Sequence, residues 1–517
     1  MPRSAVPAAR RRASALVPLL VLLLGPVLVA SACASGGDDE GSPPSSVAGP
    51  PVERPNILYV FADDLADDDL EHLPHVRRLL TDHGVELTSA YVSVSLCCPS
   101  RSTVLRGQYS HNTGVETNRG NGGFEVFHER GLEESTVGTW LQEAGYRTAL
   151  VGKYLNDYPG EAGDAYVPPG WDHWAAPVGS TNEQEGGIYR QYGYTLNRNG
   201  TLVEHGDAPE DYAGTVFVDE VADFVDDAAE RGDPFFAYLS LVSPHAPATP
   251  APGDEDAYPD ATAPRTPSYD QADVSAMPQW VRDRPRINDF DQAYLDGLQR
   301  ARLQSLLGVD RAVRDLVRTL RDNGQLDDTY VVFTSDNGHH LGQHRLQSGK
   351  LTAYEEDVHV PLVVRGPGIP EGERSDALVL NTDLAPTFAA LAGAEVPDFV
   401  DGRSFADVLF DPSAPFPRQS VLLAHYDEEL RPGQDHSAIF YQDDTPELHG
   451  LRTRRWTYVE YVTGERELYD NDADPDQLEN LAADADPALL EALSGRVADL
   501  AGCAAEGCRT AEDAAVP

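Results

Sequence analysis

Two short acidic steps, Asp63-Asp64 and Asp336-Asn337, offer three carboxylates and one amide oxygen. That set suits a hard divalent cation, with Ca2+ favoured over Mg2+ outside a cell. Taken singly, each step could merely open a loop, where Asp and Asn are common. Their shared position at the ends of two apolar runs favours a metal site. The lysines add a second signal. Of 39 basic residues only Lys153 and Lys350 are lysine. A compact ammonium can approach one anionic oxygen closely, which a planar guanidinium does differently. Two lysines kept on an arginine background point to an anion held at two places; the bland alternative is two leftover surface charges. The third signal is Ser95–Thr103, SLCCPSRST. Pro99 as the first helical residue and Gly107 near the end would bracket a short helix. Cys97 would then stand at the helix N-terminus, where the dipole favours a developing anion, with Arg101 one turn on and on the same side. Read alone, this could be a thiol nucleophile beside an anion site. A thiolate against Ca2+ sets a soft ligand on a hard metal, so an oxygen at position 97 would fit far better.

Four apolar runs end on these groups. Asn56–Ala62 ends on Asp63-Asp64, Arg147–Val151 on Gly152-Lys153, Pro234–Val242 on Ser243-Pro244-His245, and Tyr330–Thr334 on Ser335-Asp336-Asn337. Continuous rather than alternating apolar runs predict strands covered on both faces. Helical patterns lie between them, over 71–83, 136–144, 212–231 and 302–323, each stopping at or near glycine. Alternating strands and helices predict an α/β fold with a large mixed, mostly parallel central sheet flanked by helices. In such sheets ligands bind beyond the carboxyl ends of the strands, so the four run ends converge on one cleft. Residues 247–285 read as a long loop beside that cleft, opened by His245. Beyond 414 the pattern changes to short strands over 451–462 and 467–469 and a helix over 487–501, a smaller α+β subdomain spanning 415–517. The catalytic domain is then expected over 54–414.

The chain of 517 residues is 41% apolar, enough for a substantial core, and carries a formal charge of −46 from 85 acidic and 39 basic residues. So negative a surface excludes nucleic acid as a partner. Arg3 and Arg10-Arg11-Arg12 precede the apolar run ALVPLLVLLLGPVLVA and then Ala30-Ser31-Ala32-Cys33. Residues 1–32 read as a signal peptide. Either Cys33 is lipidated and becomes the N-terminus of a membrane-held lipoprotein, or the site is that of an ordinary secreted protein. Residues 33–53 read as a flexible tether. The compartment is expected to be extracytoplasmic, which permits a disulfide between Cys503 and Cys508. Cys97 and Cys98 would need a strained ring to pair, and no zinc spacing surrounds them.

The sequence Cys97-x-Pro99-Ser100-Arg101 resembles the signature of the formylglycine-dependent sulfatases, members of the alkaline-phosphatase-like superfamily. The resemblance runs from RPNILYVFADD to ELYDNDADPDQLENL. It includes Leu105-Arg106-Gly107, the Gly152-Lys153 run end, Ser243-Pro244-His245, SDNG and HRLQSGKLTAYEEDVHVPLVVRGPG. It implies hydrolysis of a sulfate ester by a Cα-formylglycine made from Cys97 by a formylglycine-generating enzyme, Cys98 being a buried, unmodified neighbour. One hydroxyl of the hydrated aldehyde would attack sulfur, activated by one Ca2+ on Asp63, Asp64, Asp336, Asn337 and residue 97 itself. Lys153 and Lys350 would neutralise sulfate oxygens, Arg101 would hold the diol, and His245 would assist the departing alcohol.

One departure stands out. Many sulfatases place a histidine two or three residues after the lysine, a base for expelling sulfate; here the chain reads Lys153-Tyr154-Leu155-Asn156. His111, His340 and His344 are candidate replacements. The KYLN variant and the doubled cysteine are similar to N-acetylglucosamine-6-sulfatases, which places 6-O-sulfated amino sugars beside aryl sulfates as expected substrates. The alternatives are a phosphodiesterase or phosphonate monoester hydrolase of the same superfamily, and an anchored binding lipoprotein with an inert site.

Overall fold

The computed structural model describes residues 54–179, 187–429 and 445–516. The expected signal peptide, tether and Cys33 lie outside the described residues. At the centre are four parallel strands: β1 (Asn56–Asp63), β2 (Arg147–Gly152), β3 (Phe235–Pro244) and β4 (Thr329–Ser335). They lie in the order β4-β1-β3-β2, with Tyr59 level with Val332 on one side and Tyr238 on the other. Every residue of β1, β3 and β4 is buried, which is why these runs are apolar throughout rather than alternating. Beyond β4 the sheet continues through Leu362–Arg365, Val85–Leu87 and Glu373–Ser375; beyond β2 it continues through His173–Val178, Tyr194–Arg198 and Thr201–His205. The ten strands make a mixed, mostly parallel sheet in an α/β fold.

Tyr59 and Phe61 point to one face, where Trp140, Leu141, Phe388 and Ala389 close the core. Leu58, Val60 and Ala62 point to the other, under Phe217, Val221, Leu306, Val309 and Val313. Those last residues belong to the long helices α2 (Ala213–Arg231) and α3 (Asp289–Asp322). The helix expected over 302–323 thus begins at Asp289, where Asn288 accepts hydrogen bonds from the amides of Phe290 and Asp291. The helix expected over 71–83 is three pieces, Asp67–His72, Pro74–Leu79 and Thr81–His83; the first break falls at Pro74, which can start a helix but cannot continue one.

A separate antiparallel sheet joins Ser420–His425, Leu448–Thr453, Trp456–Tyr461 and Arg466–Asp470 in that order. The single strand expected over 451–462 is therefore two strands, folded back at Arg454-Arg455. Helix Pro487–Ala501 packs Leu493, Val497 and Leu500 into this sheet's core with Leu422, Leu451 and Tyr458. Cys503 and Cys508 form the expected disulfide. No helix among the described residues is long and apolar enough to cross a membrane.

Candidate active site

The carboxyl ends of the four central strands do converge. In a regular strand consecutive side chains point to opposite faces, so Asp63 and Asp64 would diverge. Here the pairing of β1 with β3 slips between Phe61 and Asp63, and Asp64 adopts a φ of +65°. The irregularity turns both carboxylates to one place, where ligating atoms of Asp63, Asp64, Cys97 and His245 all lie within 4.8 Å of one another. Gly152 ends β2 with a φ of +105°, and a Cβ there would stand 1.9 Å from the Ser240 carbonyl oxygen. Only glycine lets the chain pass so close to β3 and deliver Lys153 to the cleft.

Cys97 is the first residue of α1 (Cys97–Arg106), which ends on Gly107 in the left-handed conformation. The helix thus begins two residues before Pro99, not at it. Proline is tolerated there because the first amides of a helix have no partner within it. Asp63, Asp64, Cys97, Arg101, Asp336, Asn337 and Lys350 are all at most 1% exposed. Lys153 Nζ donates to Asp63 Oδ2 at 2.6 Å. Lys350 Nζ contacts Asp64 Oδ1, lies 2.8 Å from Cys97 Sγ and 3.4 Å from Asn337 Oδ1. Arg101 Nε donates to Asp336 Oδ2 at 2.8 Å, and its Nη1 donates to Ser240 Oγ at 2.6 Å and to the Lys153 carbonyl at 3.1 Å. Asp336 Oδ1 accepts from the Asp64 amide at 3.1 Å. His245 Nδ1 faces the Ala246 carbonyl at 2.7 Å, so that nitrogen carries a proton, and Nε2 is turned to Asp64 at 3.7 Å.

Electrostatics follow from burial and these pairings. Burial pushes the Asp63 and Asp64 carboxyls up, but Lys153 beside the one and Lys350 beside the other, with His245 near both, hold them below the usual carboxylate range. Burial works against the charge on His245, yet Asp64 and Asp63 raise it to about 9. Burial pushes the Cys98 thiol up to about 12, so it stays protonated and unreactive. The donor set fits a hard cation. The Lys350 ammonium is itself a stand-in: Asp64, Asn337 and Cys97 all present their ligating atoms to that one positive nitrogen. The oxygens are of the type Ca2+ takes, and only the sulfur at 97 is mismatched.

Asp63, Asp64, Cys97, Arg101, Lys153, His245, Asp336, Asn337 and Lys350 therefore meet here, with differences in emphasis. His245 stands among the ligating groups, whereas both Asp336 oxygens are engaged by Arg101 and the Asp64 amide. The three candidate bases each meet groups outside this cluster: His111 Nε2 the Cys503 carbonyl, His340 Nδ1 the Asp357 carboxylate, and His344 the ring of Tyr354. Sequence reasoning missed Ser240, Tyr189 and His339. The His339 Nδ1 lies 3.7 Å from Asp64 Oδ2, and burial drives its pKa well below that of a free imidazole. Its place two residues after Asn337 was the available clue.

The family model described as "Sulfatase" matches residues 55–394, and that of "N-sulphoglucosamine sulphohydrolase, C-terminal" matches residues 342–501. The chain is 34% identical to the N-acetylglucosamine-6-sulfatase of Capra hircus over 88% of its own length and 85% of the goat protein. It is 36% identical to the extracellular sulfatase SULF-1 homolog of Drosophila melanogaster over 69% of its own length but 31% of that protein; the Caenorhabditis elegans homologue is matched over 49% of its length. The chain thus spans about half or less of these two relatives. Among solved structures, one described as a complex with its substrate D-glucosamine-2-N,6-O-disulfate aligns with a TM-score of 0.67 at 23% identity, over 89% of this chain and 99% of that one. That likeness is one of fold. On the family match and the goat relative together, the chain belongs to the sulfatase family.

Proposed function

We propose that the protein hydrolyses sulfate monoesters, with residue 97 as the nucleophile. The observation that carries the reading is the placement of both lysines of the chain, buried, around Cys97 and the Asp63-Asp64 pair. A sulfate ester brings negative oxygens, and two ammonium groups in a water-poor site neutralise the charge that grows on them as the S–O bond breaks. Asp63, Asp64, Asp336 and Asn337 would hold Ca2+, which when bound supplies a fixed positive charge beside the nucleophilic oxygen. Maturation of Cys97 by a formylglycine-generating enzyme would replace the mismatched sulfur with the hydroxyls of a hydrated aldehyde. Arg101, fixed by Asp336 and Ser240, orients residue 97. His245, with its Nδ1 proton committed to the Ala246 carbonyl, gives a proton from Nε2 to the departing alcohol oxygen. No residue is assigned as the base that expels sulfate.

The substrates we assign are 6-O-sulfated N-acetylglucosamine and aryl sulfates, on the strength of the goat relative and the KYLN run. The protein would act outside the cytoplasm, either held on a membrane through a lipid on Cys33 or secreted, with 54–414 as its catalytic domain and 415–517 as a subdomain. The test is mass spectrometry of the peptide containing residue 97, from protein co-expressed with a formylglycine-generating enzyme, followed by turnover of matched aryl sulfates and aryl phosphate diesters. The expected result is an aldehyde at 97 and a preference for sulfate. An unmodified thiol with no turnover would make it a binding protein, and a preference for phosphate diesters would reassign it.

A further inference from the structure

Tyr189 stands in the site although no signature, run or lysine pointed to it. It lies in the short turn Ile188–Arg190 and is 4% exposed. Its ring stacks on the His245 imidazole with centroids 4.3 Å apart and planes 27° apart. The Lys153 ammonium nitrogen lies 5.1 Å from the centroid of the same ring. One aromatic side chain thus touches both the group that would serve the leaving alcohol and one that would bind a sulfate oxygen.

The turn that carries Tyr189 is fastened to the strand end that carries His245. Gln191, 2% exposed and with a φ of +65°, donates from its backbone amide to the Ile188 carbonyl at 2.9 Å. Its side-chain amide donates to Ser243 Oγ at 3.1 Å, and its side-chain oxygen accepts from the Gly214 amide at 3.1 Å, at the start of α2. Ser243 is two residues before His245. The ring, the imidazole and the strand end are therefore tied to one another. Lys153 needs such a guide, because its ammonium has a competing partner in Asp63. A ring face attracts a cation without supplying a charge of its own, so it can steer the ammonium and leave it able to meet sulfate.

We propose that Tyr189 is a positioning residue for sulfate-ester cleavage, its ring setting the direction from which His245 reaches the leaving oxygen and Lys153 reaches a sulfate oxygen. This rests on the function proposed above. The ring stacks on His245 and faces Lys153, and the hydroxyl also hydrogen-bonds the Lys153 side chain. Tyr189→Phe should therefore keep the His245 geometry and lose less than about tenfold, evenly across substrates, while Tyr189→Leu should lose activity unevenly. On a series of substituted phenyl sulfates graded in leaving-group acidity, proton donation matters most for the poorest leaving groups. The Tyr189→Leu enzyme should fall about tenfold on the best substrate and about 10²-fold on the poorest, giving a steeper dependence on leaving-group acidity than wild type. If Tyr189→Leu does not fold, Tyr189→Met takes its place in the same series.

An equal loss across the series, or a Tyr189→Phe enzyme as impaired as the leucine variant, would overturn the positioning role and leave Tyr189 as ordinary packing. Inactivity of wild-type protein on every phenyl sulfate, with the aldehyde at 97 verified by mass, would instead remove the parent reading. The two failures are distinct, because the first requires an active wild type.

Discussion

The Lys350 ammonium stands 2.8 Å from Cys97 Sγ while contacting Asp64 Oδ1, so one positive charge links the nucleophile position to a candidate metal ligand. A guanidinium cannot take that place without moving a wall, since the site around Lys350 is fully buried. Lys350→Ala and Lys350→Arg should both lower kcat/KM on an aryl sulfate by about 10²-fold or more. Arginine should fail to rescue despite keeping the charge. A Lys350→Arg enzyme within a few-fold of wild type would show that charge alone suffices there.

The two adjacent cysteines should separate cleanly. Cys98 is fully buried among Phe124, Tyr154 and Leu155 on the core side of α1, with a thiol that does not ionise near neutral pH. Cys98→Ala should leave kcat nearly unchanged and cost about 1–2 kcal/mol of stability for the atom removed from the core. Cys97→Ala should abolish turnover and remove the aldehyde signal from the peptide mass spectrum. Activity surviving in Cys97→Ala would place the nucleophile elsewhere.

Calcium should stabilise as well as activate. Three buried carboxylates in one place repel each other, and among the described residues Arg101, Lys153, Lys350, His245 and His339 stand against them. A divalent cation that binds only the folded chain adds about 2.7 kcal/mol at a hundredfold excess over its Kd. Chelation should therefore lower the melting temperature, and calcium should restore it, in Cys97→Ala protein too. That variant tests the oxygen ligands apart from the reaction. A melting curve indifferent to calcium at every concentration would count against the assigned ligands.

What was legible in the sequence was the part enforced by uniform burial. β1, β3 and β4 are buried at every residue, so their runs are apolar end to end and their ends could be read from the first polar residues. The first turns of α3 were not legible, because they are exposed among the described residues: Phe290 is 80% exposed and Tyr294 57%, so no apolar stripe marks the helix there. The start of α1 was misplaced for a local reason. Leu96 takes the extended cap conformation, leaving Pro99 third in the helix, where its missing N–H costs nothing. Tyr189 was invisible on other grounds. Its role depends on Lys153 and His245 following neighbouring strands, β2 and β3, and on the turn at 188–190 reaching both, a tertiary fact with no spacing to record it.

The join between the catalytic sheet and the C-terminal segment depends on a buried ion cluster. Arg418 lies between Asp383 and Glu512, all three fully buried, with its Nε donating to Glu512 Oε2 at 3.0 Å and Nη2 to Asp383 Oδ1 at 2.7 Å. Glu512 also accepts from Tyr109 Oη at 2.5 Å, which connects the final helix to the segment just after α1. Arg418→Ala would take the cation from buried Asp383 and leave Glu512 with Arg403 at 3.1 Å, a change that costs about 3–5 kcal/mol. Arg418→Lys keeps the charge but lacks the fork, and should recover only part of the loss. Urea denaturation of the three proteins measures the order, which should be wild type, lysine, alanine.

Acid should unfold the protein through buried neutral histidines. Burial drives His344 to about 3 and His425 to about 4, whereas both would take up a proton near 6.5 in the unfolded chain. Below pH 6.5 the unfolded state binds more protons, so stability is fully present above that pH and is lost as the pH falls towards the folded values. The slope is about 1.4 kcal/mol per pH unit for each imidazole. Glu356 acts in the opposite sense: burial raises it to about 7, so it keeps its proton in the folded state and offsets part of the loss between 7 and about 4.5. The difference between wild type and His344→Gln removes Glu356 and His425 from the comparison. His344 stacks on Tyr354 at 3.9 Å and its Nδ1 meets Gln271 Oε1 at 3.0 Å, so at neutral pH the variant should be the less stable. As the pH is lowered from 6.5 to 4.5 the gap should narrow and then reverse, because only wild type carries the penalty of an imidazole that cannot protonate while folded. A gap constant across that range would mean that His344 takes up its proton in the native state.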